Sequence, residues 1–135
     1  MKIKIISIPV SDQENALKFY TEKLGFIKKQ DIPLGEGNRW LTLVSKEEEN
    51  GAEILLEPSP NHFEPSKVYQ KALFEAGIPI TQFDVEDVDE EYNRLLGLGV
   101  KFSVVPTLFG TAKLAVLDDT CDNYIQLVEM TELKE

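Results

Sequence analysis

Residues Ile3 to Phe26 read IKIISIPVSDQENALKFYTEKLGF. The stretch opens with a run of β-formers, breaks at Ser11-Asp12, winds through an amphipathic segment and stops at Gly25. Both parities of the run, Ile5 and Ser7 against Ile6, Ile8 and Val10, are largely apolar. That pattern predicts a central strand covered on both faces. Ser11 precedes Glu14 by three residues, the spacing of a capping box. Ala16, Leu17, Tyr20 and Leu24 then recur at helical intervals, and Gly25 suits the left-handed residue that ends a helix.

The same plan recurs from Ile78 to Phe102, IPITQFDVEDVDEEYNRLLGLGVKF. Asp87 precedes Glu90 by three, Val88, Tyr92, Leu95 and Leu96 make the stripe, and Gly99 closes it. Val10 matches Val85 at an offset of 75, whereas Gly25 matches Gly99 at 74. Further strands are expected from Phe26, over Arg39–Val44 and over Ala52–Glu57 in the first copy. In the second copy they are expected over Val100–Val105, Thr111–Leu117 and Tyr124–Glu129, after a strand at Ile80–Val85. Pro33 to Asn38 reads as a turn-rich loop, and Asp118 to Asn123 as a tight polar turn. The expectation is an α+β fold of two βαβββ modules, about 1–57 and 78–130, forming a curved, partly closed mixed sheet with helices outside. Together they would make one domain of residues 1–135. The stretch between them, about 58–77, begins with three prolines and reads as an irregular linker. Lys67 to Ala76 within it fits either a helix or an extended arm.

With 42% hydrophobic residues the chain can build a core. No apolar run approaches the ~20 residues that span a bilayer. Asp and Glu outnumber Lys and Arg by 24 to 14, a net charge of -10, so nucleic acid and anionic membranes are repelled. The short, proline-interrupted N-terminal run does not read as a signal peptide, and the single Cys121 allows no internal disulfide. A cytoplasmic protein is the expectation.

Three segments carry a family resemblance: V-S-D-x3-A-x2-F-Y-x3-L-G-F at Val10 to Phe26, V-E-D-V-D-x2-Y-x2-L at Val85 to Leu95, and D-D-T-C-D-N-Y-I-Q-L at Asp118 to Leu127. They resemble the vicinal oxygen chelate superfamily of glyoxalases, bleomycin-resistance proteins and extradiol dioxygenases. The resemblance implies a His on the first strand of each module, five residues before the matched Val, and a Glu on the last strand. Here those first-strand positions are Ile5 and Ile80, and the last-strand position of module two is Gln126. In module one Ile54 is the nearest match, with Glu53 and Glu57 close by. Isoleucines cannot ligate a metal and an uncharged amide is a weak donor. One His in the chain excludes a two-His site within it. No metal and no other cofactor is expected.

The concave side of such a sheet is the default ligand site. Ser7, Gln82 and Gln126 share strand parity with the matched positions, so they either anchor an organic ligand by neutral hydrogen bonds or bond one another or water. Trp40 and Thr42 either line that cavity, where Trp40 could stack on a planar ligand, or pack in the core. Glu57 reads as a cavity carboxylate or a strand-end solvent group. His62 and Cys121 read as a surface loop residue and an unreactive thiol, the surrounding Asp118, Asp119 and Asp122 disfavouring thiolate. Tyr69 and Lys71 read as ordinary linker residues, and the acidic run from Glu86 to Glu91 as a helix N-terminus. The expected function is binding of a small organic molecule without metal. The alternative is a glyoxalase-type lyase or isomerase with a non-standard or absent metal site. A homodimer is also expected, because edge strands call for cover.

Overall fold

A computed structural model describes residues 1–58 and 63–130. Its contacts group into two compact units, Met1–Lys71 and Ala72–Glu135. Each unit holds a four-stranded mixed sheet, and the chain is α+β.

In the first unit, strands β1 (Ile5–Val10), β2 (Ile27–Gly35), β3 (Asn38–Val44) and β4 (Glu53–Pro58) lie in the order β1-β4-β3-β2. β1 pairs in parallel with β4, and the rest is antiparallel. Helix α1 (Gln13–Lys18) packs on β4. Ile8, Val10, Leu41, Leu43 and Leu56, all of one sheet parity, are buried with Ala16 and Tyr20 of the helical segment. β1 is an edge of this sheet and not the central strand its apolar character suggested. Helix cover reaches Ile8 and Val10, whereas Ile6 remains 48% exposed.

The second unit repeats the plan with β5 (Thr81–Asp84), β6 (Phe102–Phe109), β7 (Ala112–Asp118) and β8 (Tyr124–Met130) in the order β5-β8-β7-β6. Helix α3 (Val88–Gly97) packs against β6, β7 and β8. Val88 and Leu95 are buried, and Tyr92 meets Phe102 edge-on at 4.7 Å. Between the modules in sequence runs helix α2 (Glu64–Glu75), so the helical option for this stretch is the one adopted. Gln70 donates from Nε2 to the Pro9 carbonyl at 3.0 Å. Phe74, in the second unit, stacks on Tyr124 with ring centroids 4.6 Å apart. No helix among the described residues is long and apolar enough to cross a membrane.

Local chemistry explains the boundaries. Asp87 caps α3, accepting from Glu90 N at 3.0 Å, as its spacing predicted. In module one the cap is Asp12, which accepts from Asn15 N at 2.9 Å, and not Ser11. Both are good capping residues, and the extended backbone at Asp12 (φ -150°, ψ 116°) decides which one does it. The Pro33–Asn38 stretch is largely strand: β2 runs on to Gly35, and a two-residue turn follows. Glu36 and Gly37 have φ of 54° and 80°, the positive values a type I′ hairpin turn requires.

The segment after α1 does not stop as a plain α-helix. Phe19–Lys23 forms a π-helical turn before Gly25, whose φ is 87°. From cap to closing glycine, module one runs from Asp12 to Gly25 and module two from Asp87 to Gly99, one residue shorter. A π-turn is the way a helix takes in one extra residue. It accounts for the change of offset between the two copies.

Candidate functional site

Because β-strand side chains alternate, each module has a second sheet face, opposite α1 in module one and opposite α3 in module two, where Phe74 of α2 stacks on Tyr124. In module one the pairs Ile5–Glu53, Ser7–Leu55 and Pro9–Glu57 lie on that face, and Thr42 pairs with Leu55 and with Gln30. Trp40, two residues from Thr42, shares the parity and pairs with Ile32. Ser7 is exposed, Trp40 and Glu57 are half-buried, and Thr42 is fully buried. In module two Gln82 pairs with Gln126, and Gln126 pairs with Val116, which pairs with Val104. Module one therefore carries Ser7, Trp40, Thr42 and Glu57 on one face, and module two carries Gln82 and Gln126 on the corresponding face.

The register also settles the last-strand position of module one. Ser7 corresponds to Gln82 at the offset of 75, and its partner across the ladder is Leu55, where Gln82 has Gln126. Leu55, not Ile54, is thus the counterpart of Gln126. Long-range parallel pairing sets this register, and no local sequence pattern reveals it.

Gln126 Nε2 donates to Gln82 Oε1 at 3.0 Å, so the two amides bond one another. His62 lies outside the described residues. Cys121 is buried in its turn, where Asp119 Oδ1 accepts from Cys121 N at 2.7 Å and from Asn123 N at 3.0 Å. Tyr69 and Lys71 sit exposed on α2.

The sequence did not single out Gln13, and it named Glu53 only as a carboxylate near the last-strand position of module one. Gln13, at the start of α1 and 7% exposed, donates from Nε2 to the Arg39 carbonyl at 2.8 Å and the Leu56 carbonyl at 2.7 Å. Its Oε1 accepts from Arg39 N at 3.0 Å. One side chain thereby ties helix α1 to β3 and β4. The signal for it was its place seven residues before Tyr20, on the apolar stripe. Arg39 in turn donates from Nε and Nη2 to Asp31 and from Nη1 to Glu14. The hydrogen bonds to Asp31, then Glu14, raise the Arg39 pKa, and the same bond to Arg39 is the main cause lowering that of Asp31.

Glu53 is a carboxylate with 1% of its side chain exposed, opposite Ile5. Gln30 Nε2 donates to its Oε1 at 2.9 Å, and Lys4 Nζ and Lys29 Nζ lie 3.1 and 3.8 Å from its Oε2. These groups, with the neighbouring Thr42 hydroxyl as the largest influence and Gln30 next, hold its pKa at about 2 against an ordinary 4.5. Thr42 Oγ1 nevertheless falls outside strict hydrogen-bond geometry and has no partner by that measure.

Neither module holds a donor set that fits a divalent ion. Ile5 and Leu55 supply no donor, Ile80 supplies none, and Gln126 supplies only an uncharged amide carbonyl. The oxygens of Glu53 already face an amide and two ammonium groups. Among the described residues no three His, Cys, Asp or Glu side chains cluster as a metal site would need.

Comparison with known proteins places this geometry among relatives. The model of the Glyoxalase/Bleomycin resistance protein/Dioxygenase superfamily matches residues 2–127. YurT of Bacillus subtilis (strain 168), an uncharacterized protein, is 54% identical over 129 residues, covering 96% of this chain and 99% of YurT. Among solved structures, UcmS2 superposes with a TM-score of 0.80 at 32% identity, covering 96% and 98% of the two chains. TnmS3, an antibiotic binding protein from Streptomyces sp. CB03234, gives 0.74 at 27% identity and 96% coverage of both chains.

Proposed function

This chain belongs to the Glyoxalase/Bleomycin resistance protein/Dioxygenase superfamily, and we propose that within it the chain is a metal-free binding protein. It holds a small organic molecule against the sheet face opposite α1 and α3, with Ser7, Trp40, Thr42 and Glu57 as candidate contacts in module one and Gln82 and Gln126 in module two. The observation that carries this reading is the occupancy of the donor positions. The side chains of Ile5, Leu55 and Ile80 offer no lone pair, and Gln126 offers only an uncharged carbonyl, its Nε2 being bonded to Gln82 at 3.0 Å. An antibiotic-binding structural relative supports the same reading. A lyase or isomerase would call for a carboxylate against Gln126. The hydrogen bond formed by Gln126 goes to an amide instead.

Trp40 is the single tryptophan of the chain, which makes its fluorescence a built-in reporter. Titration with a panel of planar antibiotics should give saturable quenching that survives millimolar chelator, and untagged protein should carry less than stoichiometric divalent metal by mass spectrometry. Stoichiometric metal whose removal abolishes binding would overturn the reading. We further propose that residues 1–135 act as one domain, in the cytoplasm and as a homodimer. A sedimentation run showing only a 15.3 kDa species at working concentration would refute the dimer.

A further inference from the structure

We infer that the Gln82–Gln126 pair is a recognition edge for ligands that carry an N–H beside a carbonyl: lactams, cyclic imides and primary carboxamides. The inference rests on the binding function proposed above and names the chemistry that one module selects.

The two residues are direct partners across parallel strands β5 and β8, so their side chains leave the sheet side by side on the face opposite α3. A side-chain amide has one acceptor oxygen and two N–H donors. The bond from Gln126 Nε2 to Gln82 Oε1 uses one donor of the first residue and the carbonyl of the second. This bond leaves unused the Gln126 carbonyl, its second N–H and the Gln82 amino group. Turning both amides over exchanges the residues' roles but still leaves one acceptor beside one donor, so the inference does not depend on the amide assignment. Gln82 is exposed and Gln126 half-buried, which leaves this edge within reach of a ligand.

The pair is neutral, and that decides the ligand class. A carboxylate presents acceptors only and an ammonium donors only, so each satisfies half of the edge and carries an uncompensated charge onto it. A cis N–H and C=O group satisfies both halves at once. Across the same row, Val116, which is buried, and Val104, which is 38% exposed, follow Gln126, so the amide edge adjoins an apolar stretch that is open at Val104. The equivalent row of module one reads Ser7, Leu55, Thr42 and Gln30. It has leucine where the second amide stands, so the edge belongs to module two.

The test follows the side-chain amide signals of Gln82 and Gln126 in the 15N-labelled full chain, assigned with Gln82→Leu and Gln126→Leu. The probes are 2-piperidone, which has both N–H and carbonyl, and N-methyl-2-piperidone, which keeps only the carbonyl. Both signals should move with 2-piperidone, and N-methylation should weaken binding roughly tenfold, the weight of one hydrogen bond left unmade. In Gln126→Leu, with the rest of the spectrum unchanged, the preference should vanish. Equal affinity for the two lactams would overturn the recognition edge and leave the binding function standing. Unmoved glutamine signals alongside antibiotic quenching of Trp40 would do the same. Silence in both experiments would overturn the edge and the binding function together.

Discussion

Replacing Glu53 by glutamine keeps the shape of the side chain and removes its charge. In the folded protein the carboxyl is held near a pKa of about 2 by Thr42, Gln30 and Lys4, against 4.5 ordinarily. Lowering a carboxyl pKa by one corresponds to about 1.4 kcal/mol, which sets an upper bound of roughly 3 kcal/mol on the stability tied to ionisation. The actual value is lower, because Lys4 is 64% exposed and an exposed ion pair contributes roughly 0–1 kcal/mol. A loss of about 2 kcal/mol at neutral pH is expected for Glu53→Gln. The sign follows from the carboxyl being more acidic in the folded chain than in the unfolded one. A depressed carboxyl pKa contributes stability that is complete above the unfolded value and is lost as pH falls through the folded one. The gap between wild type and variant in urea unfolding, followed by circular dichroism, should therefore be full above pH 4.5 and close towards pH 2. Asp31, also held below its ordinary value, is common to both proteins and cancels in the difference. A gap that stays constant across that window would refute the reasoning and place the cost in packing alone.

Gln13→Ala should cost about 2–4 kcal/mol in urea unfolding, since it leaves a buried carbonyl and a half-buried carbonyl and N–H without this partner. Asp12→Ala should cost about 1 kcal/mol in the same measurement while Ser11→Ala costs next to nothing, the reverse of what the Ser11–Glu14 spacing suggests. Chelator at millimolar concentration should leave the thermal midpoint of freshly purified protein unchanged by scanning fluorimetry. A drop of several degrees would reveal a structural ion.

The two modules were readable because strand and helix periods, glycine stops and a repeated order of elements agree with one another. Asp87 was readable as a cap because no rival precedes it. Asp12 was not, because Ser11 beside it is an equally good candidate and only backbone geometry separates them. Parity alone placed Ser7, Gln82 and Gln126 on a shared kind of face. It could not say whether Gln82 and Gln126 bond one another, which depends on the pairing of strands 44 residues apart. The pairings of Glu53 and Leu55 were hidden for the same reason: the β1–β4 register joins segments separated by the whole of module one. The helix Glu64–Glu75 was masked by the prolines before it, which read as a linker although one of them, Pro65, sits in its first turn, where the missing N–H costs nothing.

An extra residue inside a regular helix would swing everything after it by about 100° around the axis. At Phe19–Lys23 the surplus is swallowed within a single turn, so Phe26 and the strand behind it still arrive in phase. The first module thus carries a tolerance joint. Excising one residue there should restore an unbroken α-helix and leave the sheet undisturbed, making this the place in the module where length can drift without cost to the architecture.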